Sequence, residues 1–351
     1  MNWLNDRYED IEALNKVWET TFKDWKSVKP LLDLDDAIQR NSERGKMNFS
    51  PWSDYRDYLD WKFAHKFELA RKEFEKGDPN CRFGVSGTQI GSTKRGNDWW
   101  LLTRVLTALM NYGGGDQFRQ HRSFSDMPLT PWAGYGKMGP RIRHQHWSHA
   151  FNGMNGVGYF AERTLLEPDF TWFEGAEDTH KVIEELRIGP AKLLMNSELV
   201  FDPIAFHYSQ SSFHGSFALK QEKSLFASRA GMVALIQELG FQHFYLSYEQ
   251  LEKGELTLDK ARIFFMPHSM SISQEESDTI QKFVSSGGVL VADLLPAIMD
   301  EKCRAASPGL LDNVFGVVRS DITLNESDHK LAAAGKSTLL SIPKTPLEAT
   351  I

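Results

Sequence analysis

The sequence predicts an α/β protein made of two different parallel arrangements, about half of a (β/α)8 barrel followed by an open, doubly wound sheet. Three observations carry this. Short apolar runs alternate with helix-period segments along most of the chain, the mark of parallel β/α units. Only about four such units precede residue 180, where a closed barrel needs eight. All ten tryptophans lie between Trp3 and Trp172 and none follows. The chain is therefore two chemically different halves. An indole is either a large core filler or a flat platform for a ligand such as a sugar ring, and ten in one half, several beside Gly, Asp and Asn, favour a site there.

Residues 8–25 begin with a short amphipathic helix whose stripe is Tyr8, Ile11, Leu14, Asn15 and Trp18. A polar loop is expected from there to about Asn48. From Tyr55 the positions Leu59, Phe63, Phe67, Ala70 and Phe74 recur at helical spacing until Gly77-Asp78-Pro79 stops the helix. Arg82 to Val85 reads as a strand, Asn97 to Leu106 as a helix feeding Leu109-Met110-Asn111-Tyr112, Leu129 to Ala133 as a strand, Arg141 to Phe151 as a helix, and Gly156 to Ala161 as a strand. In barrels the polar residues just after each strand line the site. Here those are Gln89, Asn111, Tyr112, Asp116, Trp132, Tyr135, Glu162 and Arg163.

The charged helical stretch Glu174 to Asn196 bridges to the second half, whose rhythm is cleaner. Strands are expected at Ile204–His207, His243–Leu246, Arg262–Pro267 and Val289–Ala292, with helices at Ser224–Leu239 and Gln274–Ser286. Their order reads as flavodoxin-like. The domains fall at 1–180, a linking helix at 181–200, 201–320, and a polar tail at 321–351 that reads as truncated.

Composition narrows the function. Forty Lys+Arg against 47 Asp+Glu leave no basic surplus for a nucleic-acid partner. No apolar run approaches the roughly 20 residues that cross a bilayer. Cys81 and Cys303 fall in different halves, which argues against a disulfide framework or thiolate metal site; with no visible signal peptide, a cytoplasmic location is favoured.

Several motifs fail on spacing. Ala334-Gly335-Lys336-Ser337-Thr338 resembles the end of a phosphate loop, but the position of its first glycine is Lys330. Gly153, Gly156 and Gly158 precede a strand in the wrong order for a dinucleotide fingerprint. Of His144, His146 and His149 only the last two share a helix face, with no third metal ligand in sight. The segment Met266-Pro267-His268-Ser269-Met270 could be the elbow of an amidotransferase-like enzyme, yet it lacks a cysteine and flanking glycines. No metal or cofactor is expected.

Carboxylates remain. Glycoside hydrolysis uses two, about 5–5.5 Å apart for retention or about 6.5–9.5 Å for inversion. Asp116, Asp126 and Glu162 lie near predicted strand ends, each equally placed to pair with Arg119, Arg122 or Arg163. Asn111, Tyr112, Trp132 and Tyr135 supply the amide and aromatics that a sugar site also needs.

The order of three stretches resembles the family 42 glycoside hydrolases, β-galactosidases with an α/β barrel and a flavodoxin-like (class I glutamine amidotransferase-like) trimerisation domain. Trp3-Leu4 with Tyr8 to Trp18 looks like the helix after the fourth barrel strand. Asn111-Tyr112 is similar to an Asp-Asn-Tyr strand end, and Gly156 to Arg163 resembles the last barrel strand, ending Phe-x-x-Arg. Ile204 to Ser209, Gly287-Gly288-Val-Leu-Val and the region from Asp300-Glu301 to Phe315-Gly316 resemble the trimerisation domain.

The resemblance covers most of residues 1–318 and implies the C-terminal half of a barrel, with strands one to four upstream of Met1. The family's acid/base glutamate, in an Asn-Glu pair at the end of strand four, has no counterpart here. Nor has its nucleophile, since the matching segment Leu129 to Gly136 holds no glutamate. Glu162 and Asp126 are the substitute candidates, although neither carries over by motif. The implied activity is retaining hydrolysis of terminal β-linked sugars, with a carbohydrate substrate and a homotrimer. The alternative is a non-catalytic carbohydrate-binding or assembly protein with a degenerate barrel.

Overall fold

The computed structural model describes residues 2–88, 97–112, 114–133, 139–159, 165–174, 176–293 and 295–318. The chain opens with a helical layer. Helix α1 (Asn2–Asn5) precedes α2 (Ile11–Trp18), which Asp10 caps by accepting the Ala13 N–H at 2.7 Å. The predicted loop before Asn48 instead contains α3 (Leu34–Arg44), capped by Asp33 and ended by Gly45 at φ 59°. Its only buried residues are Ala37 and Asn41, so no broad apolar stripe announced it.

Helix α4 (Ser50–Glu75) begins five residues before the predicted start, with Pro51 in its first turn. Its buried face differs from the expected one. Leu59, Phe63 and Phe67 are half-buried and Phe74 is exposed, whereas Trp52, Asp54, Asp60 and Ala64 are buried.

Next comes the first parallel ribbon: β1 (Gly84–Thr88), α5 (Trp99–Val105), β2 (Ala108–Asn111), α6 (Gly115–Phe124), β3 (Trp132–Ala133), α7 (Pro140–Phe151) and β4 (Gly158–Tyr159). Strand β1 pairs with β2 and β3 with β4, both parallel. A parallel bridge between Leu109 and Leu129 joins the pairs, with Leu109 N–H on Pro128 and Thr130 N–H on Leu109. Four consecutive strands thus run side by side in sequence order. Helices α8 (Glu177–Arg187) and α9 (Pro190–Met195), separated by Gly189, lead onward.

The second sheet is built from β5 (Ile204–Tyr208), α10 (Gln210–Ala218), α11 (Glu222–Glu238), β6 (Phe244–Ser247), α12 (Tyr248–Glu252), β7 (Ile263–Met266), α13 (Gln274–Ser285) and β8 (Val289–Ala292), followed by α14 (Asp312–Phe315). Its order is β6-β5-β7-β8, all parallel. Both faces are covered, which explains why β5 is buried at every position. Ala205, Leu246, Phe264 and Met266 pack on Leu251 of α12 and on Ile280 and Phe283 of α13. Phe206, Tyr208, Tyr245 and Phe265 face Phe213 of α10 and Val233 and Ile236 of α11.

That second face shares one continuous core with Trp99, Leu102, Leu109, Phe118 and Leu129 of the first ribbon. Helices α5 and α6 are therefore the filling between two sheets. At the margin of this core lies a charged seam. Asp116, in the first turn of α6, accepts Arg229 Nε at 2.9 Å and Tyr245 OH at 2.6 Å, and lies 3.0 Å from His243 Nε2. Burial opposes ionisation of Asp116, but the Arg229 charge and the hydrogen bonds from His243 and Tyr245 outweigh it and hold the carboxyl well below its usual range.

A second polar joint ties α4 to the chain near Lys302. Lys302 Nζ donates to Asp54 at 2.8 Å, and His214 lies between Asp60 at 3.0 Å and Asp57 at 3.3 Å. Burial alone would lower the His214 pKa; hydrogen bonds to Asp57 and Asp60, with their charges, push it up to about 9. The aspartates at 54, 57 and 60 share one face of α4, a buried acidic stripe that the apolar periodicity concealed.

Replacing Asp116 with Asn is expected to lower stability by roughly 2 kcal/mol at pH 7, because Arg229 keeps its burial and loses its countercharge. As the folded pKa of Asp116 is depressed, its contribution is complete above the unfolded value of about 4 and fades as pH falls below it. Urea titrations across pH 3 to 7 should therefore show wild type and D116N converging at the acid end.

Candidate functional site

Strand alternation divides the first ribbon into two faces. Leu109, Leu129 and Ala133 are buried toward the helix layer, while Met110, Tyr112, Thr130 and Trp132 lie half-buried on the other face. Gly158 shows how closely neighbours meet there. A Cβ at that position would lie 3.3 Å from both Met110 and Trp132. The Tyr112 and Trp132 rings stack with centroids 6.1 Å apart and planes 22° apart. This pair stands at the carboxyl ends of β2 and β3, the edge where parallel β/α folds carry their sites.

The other expected site residues distribute differently. Asn111 points to the helix side, where it is fully buried with Nδ2 3.4 Å from His121 Nδ1. The His121 ring lies 4.3 Å from that of Trp99, and burial, with the charges of Arg229 and Arg122, lowers its pKa to about 3. Asn111 therefore belongs to a neutral polar patch inside the helix layer and corrects the expectation that it lines a sugar subsite. Asp116 follows β2 as foreseen, but its carboxylate turns to Arg229, His243 and Tyr245 in the seam.

Asp126 is exposed in the turn between α6 and β3. That turn enters the strand, so Asp126 lies at the end of the ribbon opposite to Tyr112 and Trp132. The sequence position was close to a strand end, but to the wrong one. Gln89, Tyr135, Glu162 and Arg163 fall outside the described residues.

The tryptophans divide as well. Trp18, Trp52, Trp99 and Trp100 are core residues, while Trp61 and Trp172 are 39% and 43% exposed. His146 and His149 are buried on one face of α7, with His146 bonded to the Ile142 carbonyl at 2.9 Å and to Tyr159 OH. Among the described residues no group of three or more His, Cys, Asp or Glu is arranged to hold a metal ion.

The elbow after β7 has a feature that the sequence did not reveal. Ser269 Oγ lies 3.0 Å from His207 Nδ1, and His207 Nε2 lies 2.8 Å from Glu276. The same residue types serve nucleophilic hydrolases. Here Ser269 is 2% exposed and the other Glu276 oxygen accepts the Ser273 N–H at 2.7 Å as part of a capping box. A carbonyl carbon has no access to Oγ, so the relay is a structural network beneath α13.

No protein-family model matches the chain, and no curated protein matches it. Solved structures do. A polyextremophilic β-galactosidase from the Antarctic haloarchaeon Halorubrum lacusprofundi superposes with a TM-score of 0.69 at 15% identity, over 89% of this chain and 52% of that one. A GH42 β-galactosidase from G. stearothermophilus, solved as a catalytic mutant, gives 0.65 at 15% identity over 87% of this chain and 50% of that one. An exo-carrageenase GH42 from Bacteroides ovatus gives 0.61 at 16% identity over 96% and 50%. The chain has the fold of half of a GH42 enzyme. It spans about half the length of the solved structures it matches. At this identity the likeness to the GH42 proteins is one of fold, and it includes both the first ribbon and the sheet beyond it.

Proposed function

We propose that the chain is the C-terminal half of a (β/α)8 glycosidase barrel joined to a flavodoxin-like assembly domain, and that the protein carrying the whole barrel hydrolyses terminal β-linked sugars. One observation supports this above the others: the Tyr112–Trp132 stack on the face of the ribbon away from its helices, at the carboxyl edge, within a fold shared with β-galactosidases. Paired rings of this kind offer the C–H face of a sugar a flat apolar partner, while hydroxyls are left for polar groups at the rim.

The chemistry follows from two carboxyl groups held in different environments. One protonates the leaving oxygen, the other attacks the anomeric carbon, and water then releases the sugar from the covalent intermediate with retention. Glu162 is our candidate for a carboxylate contributed by this chain, with Tyr112, Trp132, Tyr135 and Arg163 around the sugar. Its partner would come from the barrel strands not contained here. The assembly domain would make the protein a homotrimer, as in the family that the sequence resembles.

A second reading has its own support. Asp116 is engaged in the seam, Asp126 lies at the far end of its strand, and the β3 segment has no glutamate. A carbohydrate-binding protein with a degenerate barrel would tolerate all three. A panel of nitrophenyl glycosides offered to the protein with its complete barrel separates the readings: hydrolysis of a β-glycoside supports the enzyme, and binding of sugars without hydrolysis supports the alternative.

In that protein Glu162→Gln is expected to reduce kcat by at least about a thousandfold while the melting temperature stays unchanged. Unaltered turnover removes Glu162 from the mechanism. Trp132→Ala is expected to weaken sugar binding about tenfold or more with little loss of stability. Asn111→Ala should do the reverse, lowering stability by about 1–2 kcal/mol with unchanged affinity, since its amide is buried among the helices.

A further inference from the structure

The hairpin formed by residues 165–174 has a feature that the Tyr112–Trp132 stack does not explain. An antiparallel bridge joins Leu166 to Trp172, and the Phe173 N–H reaches the Leu165 carbonyl at 2.9 Å. Glu167 N–H donates to the Thr171 carbonyl at 2.8 Å, so the loop itself is Pro168-Asp169-Phe170. Phe170 N–H closes the turn on the Glu167 carbonyl at 2.9 Å, and Asp169 Oδ1 accepts the Thr171 N–H at 3.0 Å and its hydroxyl at 2.6 Å. Three-residue hairpin loops of this form end on a left-handed residue, where glycine is usual. Phe170 stands there instead, at φ 65° and 83% exposed. A bulky residue in that conformation is strained, and glycine would close the same turn without strain. The loop holds an aromatic ring out in water at a conformational cost, and such strain concentrates at functional sites.

The hairpin lies at the edge where the Tyr112–Trp132 pair stands. Its Trp172 ring stacks on His180 in the first turn of α8, with centroids 5.0 Å and planes 28° apart. Asp178 of the same turn accepts the Gly139 N–H at the start of α7 at 2.9 Å. Helices of parallel β/α units begin at the carboxyl ends of the strands, so these two starts mark the rim that also carries Tyr112 and Trp132. Tyr159 ends β4 and Leu165 opens the hairpin, an interval of chain that reaches at most about 20 Å.

The surroundings select what the rings meet. Phe170, Trp172 and Phe173 are all exposed, and Glu167, Asp169 and Glu174 are the only charged residues between 165 and 174. An anionic membrane surface or a nucleic acid would be repelled. A neutral glycan is not: its C–H faces pack on the rings, and its hydroxyls donate to the carboxylates. The hairpin's own hydrogen bonds order it before a ligand arrives, so little freedom is lost on binding.

We infer that this hairpin is a rim subsite for a glycan, in which Phe170 and Trp172 hold the sugar units beyond the terminal one, so that the substrate class is a β-linked oligosaccharide. The inference rests on the glycosidase reading for the place of the terminal unit, on the Tyr112–Trp132 stack. The hairpin contributes chain-length preference and no chemistry.

The test is calorimetric titration of the full chain with β-1,4-galactotetraose and, in parallel, with galactose. The tetraose is expected to bind at least about tenfold more tightly than galactose, and Phe170→Gly and Trp172→Ala should each weaken it about fivefold or more while leaving galactose unchanged. Phe170→Gly relieves the strained turn, so its melting temperature should equal or exceed that of wild type, which separates lost binding from lost folding. Trp132→Ala should weaken both sugars. The proposal is overturned if the tetraose gives no saturable heat or binds no more tightly than galactose, or if either hairpin variant binds it as wild type does. A change in the solution mass of Phe170→Gly also overturns it, by assigning the ring to a protein contact. Loss of the tetraose in the hairpin variants with no effect of Trp132→Ala would support the hairpin and remove the stack from the sugar site.

Discussion

The structure depends on one constraint: helices α5 and α6 must satisfy two sheets at once. Their inner sides pack on Leu109 and Leu129, and their outer sides meet Phe206, Tyr245 and Phe265. A four-stranded ribbon with one uncovered face buries too little to stand alone, so its helix layer needs a second surface. The second sheet provides it. Asp116, Arg229, Tyr245 and His243 then fix the register, because like a key they fit only when α6 and β6 are correctly aligned. Ion pairs of this kind contribute specificity of arrangement more than net stability.

The same constraint explains what could be read in the sequence. Strands β5 to β8 are short apolar runs bounded by Pro, Gly or polar residues, and the observed bounds differ from expectation by a residue or so. Strand β8 coincides with Val289–Ala292. Helices α3, α6 and α10 were not foreseen, for a shared reason. Among their buried positions are Asn41 in α3, Gln117, Arg119, Gln120 and His121 in α6, and Gln210, Ser212, His214 and Ser216 in α10, polar groups that break an apolar period. In each the tertiary partner supplies the missing logic: His214 is buried because Asp57 and Asp60 await it across the joint.

The candidate site was legible in part. Tyr112 and Trp132 follow apolar runs in the sequence, and their rings stack on one face of the ribbon. Asn111 failed because a strand alternates, so adjacent residues at a strand end serve opposite sides. Asp126 failed because a sequence distance to a strand does not tell which end is near. Asp116 failed because its partners, Arg229, His243 and Tyr245, lie more than a hundred residues away. The aspartates of α4 escaped the sequence reading, which followed the apolar period of that helix, and only the tertiary partners of Asp54, Asp57 and Asp60 give them meaning. The tryptophans confined to the first half divide between core and margin: Trp99 anchors the shared layer, and Trp132 stacks on Tyr112 on the face away from it.

That confinement also provides the most direct measurement of the central claim, that the two sheets form one cooperative body through their shared helices. Tryptophan emission reports only on the first half of the chain, whereas far-ultraviolet circular dichroism reports on both. In a urea titration the account predicts that the two signals change in one coincident transition with the same midpoint. Loss of tryptophan emission at a clearly lower urea concentration, with much of the dichroism surviving to a second transition, would contradict it.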